Sequence, residues 1–183
     1  YLKNRFKRKC GVIATTLYPE FIRDDYYLKN FTASKKGYIT GCCGFVYKGL
    51  RIFCALAKSF KKEKFLLIGP VDQSYIAEIK QLRNVTILGY CKTKKYLKMS
   101  RIVLVPSQWP EAFGRIAVEA MANAIPVLAS YTGGLQEVVG ESSLGVVKFQ
   151  NIQAWSNKLN ELLTSRQAYE RNRREGIALS SLF

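Results

Sequence analysis

From residue 37 onward, short runs of β-branched and other apolar residues alternate with stretches whose apolar positions recur every three or four residues. The first kind of run predicts strands at 38–42, 65–68, 85–88, 102–105, 126–129 and 144–147. Between the first two, Leu50, Phe53, Leu56, Ala57 and Phe60 fall on one helical face. Lys58, Lys61 and Lys62 follow at the end, where cations suit the helix dipole. The same periodicity predicts helices at 74–82, 93–99, 113–124 and 133–139. Trp155, Leu159, Leu162 and Leu163 mark a late helix, and 167–177 reads as a last, polar one.

Strands alternating with helices predict an α/β fold: a Rossmann-like open parallel sheet of about six strands with helices on both faces. Sheets of this kind bind ligands beyond the C-terminal ends of their strands, at the point where strand order reverses. The loops at 43–48, 69–73, 89–92, 107–114 and 130–135 are therefore where chemistry is expected. Residues 1–36 break the pattern. They open with Lys3, Arg5, Lys7, Arg8 and Lys9, run through Tyr18-Pro19-Glu20, and continue aromatic and charged without a clear period. They read as a connecting segment from an upstream domain, leaving 37–183 as one domain. The chain starts at Tyr1 with no signal-peptide pattern, which reads as a piece of something longer.

Composition narrows the chemistry. Lys and Arg number 29 against 13 Asp and Glu, a net charge of +16, which favours anionic partners. The chain has no His, so it supplies neither a Ser-His-Asp nor a Cys-His catalytic set, nor a His-ligated metal. Cys10, Cys42, Cys43, Cys54 and Cys91 form no C-x-x-C pair, and are expected to be buried, reduced thiols. No apolar run reaches ~18 residues, so no membrane-spanning helix is expected.

Three strand-to-helix loops carry suitable residues. The loop Ser107-Gln108-Trp109-Pro110-Glu111-Ala112-Phe113-Gly114 leads into an apolar helix bearing Glu119, eight positions after Glu111. Gly114 lets a ligand approach the backbone, and the N–H groups of a helix start receive anions. Glu111 alone reads equally as a helix-start charge, whereas Glu119, set among Ile116, Ala117, Val118, Ala120 and Met121, is expected to be buried. The second loop ends in Gly133-Gly134, where successive N–H groups can form an anion nest. The third, Gly41-Cys42-Cys43-Gly44 through Lys48, places a Lys near a helix start, where the dipole disfavours it unless an anion is near. None of the three matches the glycine spacing of a dinucleotide fingerprint or a Walker loop.

Together the stretch Pro106 to Glu119, the strand Pro126-Val127-Leu128-Ala129 and the segment Gly133-Gly134-Leu135-Gln136-Glu137 resemble the C-terminal half of a group 1 (family 4) retaining glycosyltransferase of the GT-B type, over about residues 37–165. That resemblance implies a domain that binds a nucleotide-sugar donor (UDP-, GDP- or ADP-linked), with no metal, beside a second domain that binds the acceptor. It implies that Glu119 holds the ribose hydroxyls and Glu111 contacts the transferred sugar. It implies that the backbone near Gly41, Phe113, Gly114, Gly133 and Gly134 meets sugar and diphosphate. Lys48 would neutralise the diphosphate, and Leu88, Gly89 and Tyr90 would lie beside the base. The acceptor domain is not in the chain, so this piece alone is expected to be inactive. One departure stands out: where the family often has Arg after the first glycine of the third loop, this chain has Cys42.

Other readings compete. One is a non-catalytic domain that senses a nucleotide sugar, with Cys42 marking lost chemistry. Another is a basic nucleic-acid module, which lacks any recognisable reader element and is not favoured. Lys92, Lys94, Lys95, Lys98 and Arg101 read either as a solvated helix face or as peripheral contact with an anionic membrane. Nucleotide-sugar chemistry and free thiols both point to the cytoplasm.

Overall fold

A computed structural model describes residues 7–11, 13, 15, 17–19, 23–34, 36–140, 142–146 and 150–183. Strands β1 (Tyr38–Gly41), β2 (Phe65–Leu67), β3 (Val85–Ile87), β4 (Ser100–Val105), β5 (Val127–Ser130) and β6 (Gly145–Val146) form one sheet. Its order is β3-β2-β1-β4-β5-β6, and every pairing is parallel. The chain builds outward from β1 to β3, then returns to lay β4 against the other side of β1. Strand order therefore reverses between β1 and β4, and their C-terminal ends open the crevice where such sheets hold ligands.

Helices α1 (Arg23–Tyr26), α2 (Leu50–Ser59), α3 (Ile76–Lys80), α4 (Thr93–Leu97), α5 (Arg115–Ala122), α6 (Leu135–Val139), α7 (Ile152–Thr164) and α8 (Arg166–Ser180) surround the sheet, with short 3-10 turns at Val46–Lys48 and Gln73–Tyr75. The two-residue period of a strand decides which face each packs on. In β4, Ile102 and Leu104 face α2 and α7, where Leu50, Phe53, Leu56, Trp155 and Leu159 form one core. Val103 and Val105 face the opposite way, into a core with Leu97, Ala117, Val118, Met121 and Leu135. The central strands are thus buried on both faces, which is why they read as continuous apolar runs.

The expected elements are present with shifted ends. β1 stops at Gly41, not Cys42, because its ladder with β2 ends at the Gly41–Leu67 pair. β4 starts two residues early, at Ser100, whose hydroxyl lies 2.7 Å from both the Thr40 hydroxyl and the Tyr96 carbonyl. Residue 147, placed in the last strand from sequence, lies outside the described residues, as do 1–6, 12, 14, 16, 20–22 and 35 of the connecting segment.

Part of the segment before residue 37 packs on the sheet's helices. Tyr26 and Leu28 are buried. The Asn123 side chain accepts from Leu28 N–H at 2.7 Å and donates to the Tyr26 carbonyl at 3.0 Å, tying this segment to the end of α5. The last, polar helix, longer than read from sequence, also packs inward. Gly176 lies against Met121 of α5, and Asn172 is fully buried. The Asn172 amide accepts from Val127 N–H and donates to the Val127 carbonyl, each at 3.0 Å. β6 is too short to reach Val127, so a side-chain amide completes the β5 edge in its place.

Asn172→Ala leaves both Val127 backbone groups buried without a partner. The expected loss is about 3 kcal/mol of unfolding free energy, read from denaturant titration with an unchanged slope.

Candidate functional site

The loops after β1, β4 and β5 meet at the reversal point. Each is pinned to the next through backbone. Gln108 N–H donates to the Tyr47 carbonyl at 2.9 Å, joining the β4 loop to the β1 loop. Gly49, the N-cap of α2, has φ 95° and sits so close to Pro106 that a methyl group would strike the Pro106 carbonyl. Gly134 N–H donates to the Glu111 carbonyl at 2.6 Å, joining the β5 loop to the β4 loop. A Cβ on Gly134 would collide with the Ala112 carbonyl, and one on Gly133 would lie 2.6 Å from the Glu111 carbonyl oxygen. Small residues at these places let three loops stack without a gap.

That stack fixes one ion pair. Lys48, between the pinned Tyr47 and Gly49, reaches Glu111 across the loops, with Nζ 2.6 Å from Oε1. The Ser107 hydroxyl lies 2.9 Å from the same Oε1 and 3.1 Å from the Trp109 carbonyl. The Glu111 side chain is 16% exposed and that of Lys48 35%. An ammonium has three N–H donors, and Glu111 is the hydrogen-bond acceptor it meets among the described residues, which leaves donor capacity for a ligand. The pair lines a cavity of about 400 Å³, together with Cys42, Phe113, Gly114 and Arg115. Gly114, at φ 101°, turns the β4 loop into α5 at the cavity wall.

Glu119 lies deeper, about a turn into α5, and is buried at 7% exposure. Desolvation raises its carboxyl above the ordinary value of 4.5, against the opposing pull of Arg115, 3.5 Å away, and of a hydrogen bond from Thr93 at the start of α4. It does not line the cavity. Leu88 and Tyr90 follow β3, two strands away from β1. Leu88 packs on the core, Tyr90 is 88% exposed, and neither reaches the cavity. Gly41 ends β1 against the Phe53 ring. The structure thus unites Lys48, Glu111, Phe113 and Gly114, braces them with Gly133 and Gly134, and leaves Glu119, Leu88 and Tyr90 on the flanks. Of the expected nest, the Gly134 N–H is already taken by Glu111.

Some participants were not singled out from sequence. Ser107 and Thr93 orient the two glutamates, yet nothing marks one hydroxyl among many. Pro19 lines the cavity. Next to it, Tyr18 packs on Phe113 at 5.5 Å and on Phe183 at 5.1 Å, bringing part of the connecting segment to the site. Other expectations change. Cys43 and Cys54 are buried, but Cys10 and Cys42 are exposed. Cys42 stands at the cavity with its thiol pushed up to about 12, through close packing and the nearby Cys91 and Glu119, so it is neutral. The run 92–101 does not make one basic face: Arg101 turns to Glu63 at 2.9 Å beside the entry to β2. Among the described residues, no helix is long and apolar enough to cross a membrane.

Residues 45–178 match the family of group 1 glycosyl transferases. The chain belongs to that family. Among the relatives of this glycosyltransferase domain is an uncharacterized 42.6 kDa protein in the cps region of Klebsiella pneumoniae, 38% identical over 94 residues, covering 50% of this chain and 25% of that protein. A D-inositol 3-phosphate glycosyltransferase of Corynebacterium urealyticum is 44% identical over 64 residues, covering 34% and 15%. In these and further curated relatives, the matched stretches span between 14% and 28% of the relative's length. Among solved structures, Anabaena HepE in complex with UDP-glucose aligns with a TM-score of 0.70 and 25% identity, over 80% of this chain and 44% of that one. The C-terminal domain of a group 1 glycosyltransferase, LpcC of Francisella tularensis, aligns with a TM-score of 0.65 and 20% identity, over 90% and 93%. The fold is thus that of one half of a GT-B glycosyltransferase, and the domain resembles the nucleotide-sugar-binding domains of that class.

The buried carboxyl of this domain makes a test of its own. The folded state holds the Glu119 proton more tightly than the unfolded chain, so its contribution to stability is full below pH 4.5 and lost as pH rises through the raised folded value. Glu119→Gln should therefore melt above the wild type at pH 7, with the gap closing as pH falls below 4.5. A wild type that melts higher at pH 7 contradicts this.

Proposed function

We propose that this domain binds the nucleotide-sugar donor of a retaining glycosyltransferase that moves a hexose to an acceptor hydroxyl. The observation that carries the reading is the Lys48–Glu111 pair held at the strand-order reversal, facing a cavity of about 400 Å³. HepE, which shares the fold, was solved with UDP-glucose.

Each group then has a task. The remaining Lys48 donors hold oxygens of the diphosphate and stabilise it as it leaves. Glu111 accepts from hydroxyls of the transferred sugar, its orientation set by Ser107. The start of α5, at Phe113 and Gly114, meets the sugar or its phosphate. Glu119 accepts from the ribose hydroxyls, which accounts for a carboxylate kept at a site where burial disfavours its charge. Leu88, Gly89 and Tyr90 flank the base. In the transfer, the bond from the anomeric carbon to the β-phosphate oxygen breaks, and a bond to the acceptor oxygen forms. The hydroxyl proton passes to the departing diphosphate. The acceptor is held by a second domain, so the chain as given binds donor without turning it over. Such a donor implies a cytoplasmic setting.

Cys42 favours a second reading, a domain that senses a nucleotide sugar without transfer. A neutral thiol there gives the diphosphate one cation fewer. Arg115 lines the same cavity and is the cation that offsets this, at the expense of its pairing with Glu119.

Calorimetric titration with UDP, GDP and ADP tests both. One nucleotide is expected to bind well above the other two. Lys48→Ala should weaken it by about 10- to 100-fold, the loss of a charge-assisted bond. Cys42→Arg should tighten it. Equal, salt-sensitive binding of all three, unmoved by Lys48→Ala, contradicts the donor reading.

A further inference from the structure

The wall that carries Lys48 and Glu111 has a second side. Tyr47 and Gln108, the residues joined by the 2.9 Å backbone bond, line another cavity, of about 690 Å³. Arg51, Gln150, Asn151 and Gln153 complete its polar lining. Nothing in the donor reading uses it.

Its chemistry is specific. Four side-chain amides line one space. The Gln108 NH2 donates to the Pro106 carbonyl at 2.9 Å and the Gln153 NH2 to Asn157 Oδ1 at 2.8 Å, so the donor and acceptor in one plane that match neighbouring hydroxyls on a ring come from Gln150, with the Asn151 NH2 beside it. The Gln150 amide has no hydrogen-bond partner among the described residues. Asn151 spends its side-chain oxygen on the N–H groups of Gln153 and Ala154, which leaves its NH2 unspent. Tyr47 is 51% exposed, and its ring is kept in place by stacking on Phe45 at 5.6 Å. Trp109, next after Gln108, is 62% exposed. Exposed aromatic faces beside amides suit the alternating C–H and O–H surfaces of a pyranose. Arg51 sits at the start of α2, where the helix dipole gives it no support, and has no acidic partner among the described residues. It adds a cation for a carboxylate-bearing sugar.

We propose that this cavity, whose lining residues Tyr47 and Gln108 adjoin Lys48 and Ser107 of the donor cavity along the chain, binds the sugar units of a saccharide chain. The proposal rests on the donor reading above and extends it: the second cavity steadies the glycan on which the enzyme works. Its sugar contacts lie in this domain, in addition to whatever the acceptor domain supplies.

Saturation-transfer NMR on the chain tests it, with maltohexaose, cellohexaose and trigalacturonic acid as probes at about 10 mM, above a millimolar Kd. At least one probe should receive signal, and keep it when UDP is added. Tyr47→Ala and, separately, Gln150→Ala should each weaken that probe about tenfold. Tyr47→Phe should keep it, and thermal melting shows whether each variant folds. UDP affinity, measured in the same samples, should not change with Gln150→Ala. Three results overturn the proposal: no signal from any probe, signal lost on adding UDP, or signal unmoved in both folded alanine variants. Loss of UDP binding in the wild type with saccharide signal intact overturns the donor reading and leaves the groove standing.

Discussion

A lysine and a carboxylate half-withdrawn from water stay paired only where the backbone on both sides cannot drift, and this requirement shapes the top of the sheet. Lys48 comes from the loop after β1 and Glu111 from the loop after β4, 63 residues later. The two loops are joined to each other, and the Glu111 loop is joined in turn to the loop after β5, which supplies no charge. Gly49 under Pro106, Gln108 on Tyr47, and Gly134 on Glu111 make one continuous backbone stack. Each contact is a carbonyl met by an N–H or by the absence of a side chain. The pair therefore inherits the rigidity of the sheet rather than the mobility of its loops.

Topology explains why these loops are neighbours. At the β1–β4 junction two adjacent parallel strands send their helices to opposite faces, α2 into one core and α5 into the other, and strand order reverses, so the crevice opens there. The two cores have equal claims on the central strands, and β4 is apolar along nearly its whole length because each face is covered. The net charge of +16 has little to do with this site. Two cations line the cavity at the strand-order reversal, and both are paired with glutamates. Lys36, Lys62, Lys64 and Arg101 instead line a depression at the other edge, around the strand entries.

Period and loop composition made the sheet, its helices and the three loops legible before any coordinates, because each is written in residues close together along the chain. The burial of Glu119 was equally readable, since its helix neighbours are nearly all apolar. What was not legible joins distant residues through single polar atoms. Asn172 serves Val127, 45 positions away, and looks from sequence like one polar residue in a polar helix. Asn123 holds Tyr26 and Leu28 across 97 and 95 positions, and so makes part of an apparent linker into core. Thr93 and Ser107 orient carboxylates from loops in which hydroxyls are common. Cys42 was noticed as a departure, but its exposure at the cavity follows from the end of β1 one residue before it.

The central claim is that the stacked loops after β1, β4 and β5 form one anion-receiving surface. Backbone amide chemical-shift mapping with UDP tests it most directly. The account predicts that shifts cluster at residues 42–49, 107–116 and 133–135, with the Lys48 and Gly114 amides among the largest. Shifts concentrated instead around Lys36, Lys62, Lys64 and Arg101, at the opposite edge of the sheet, would contradict it and make the nucleotide a guest of the general positive field.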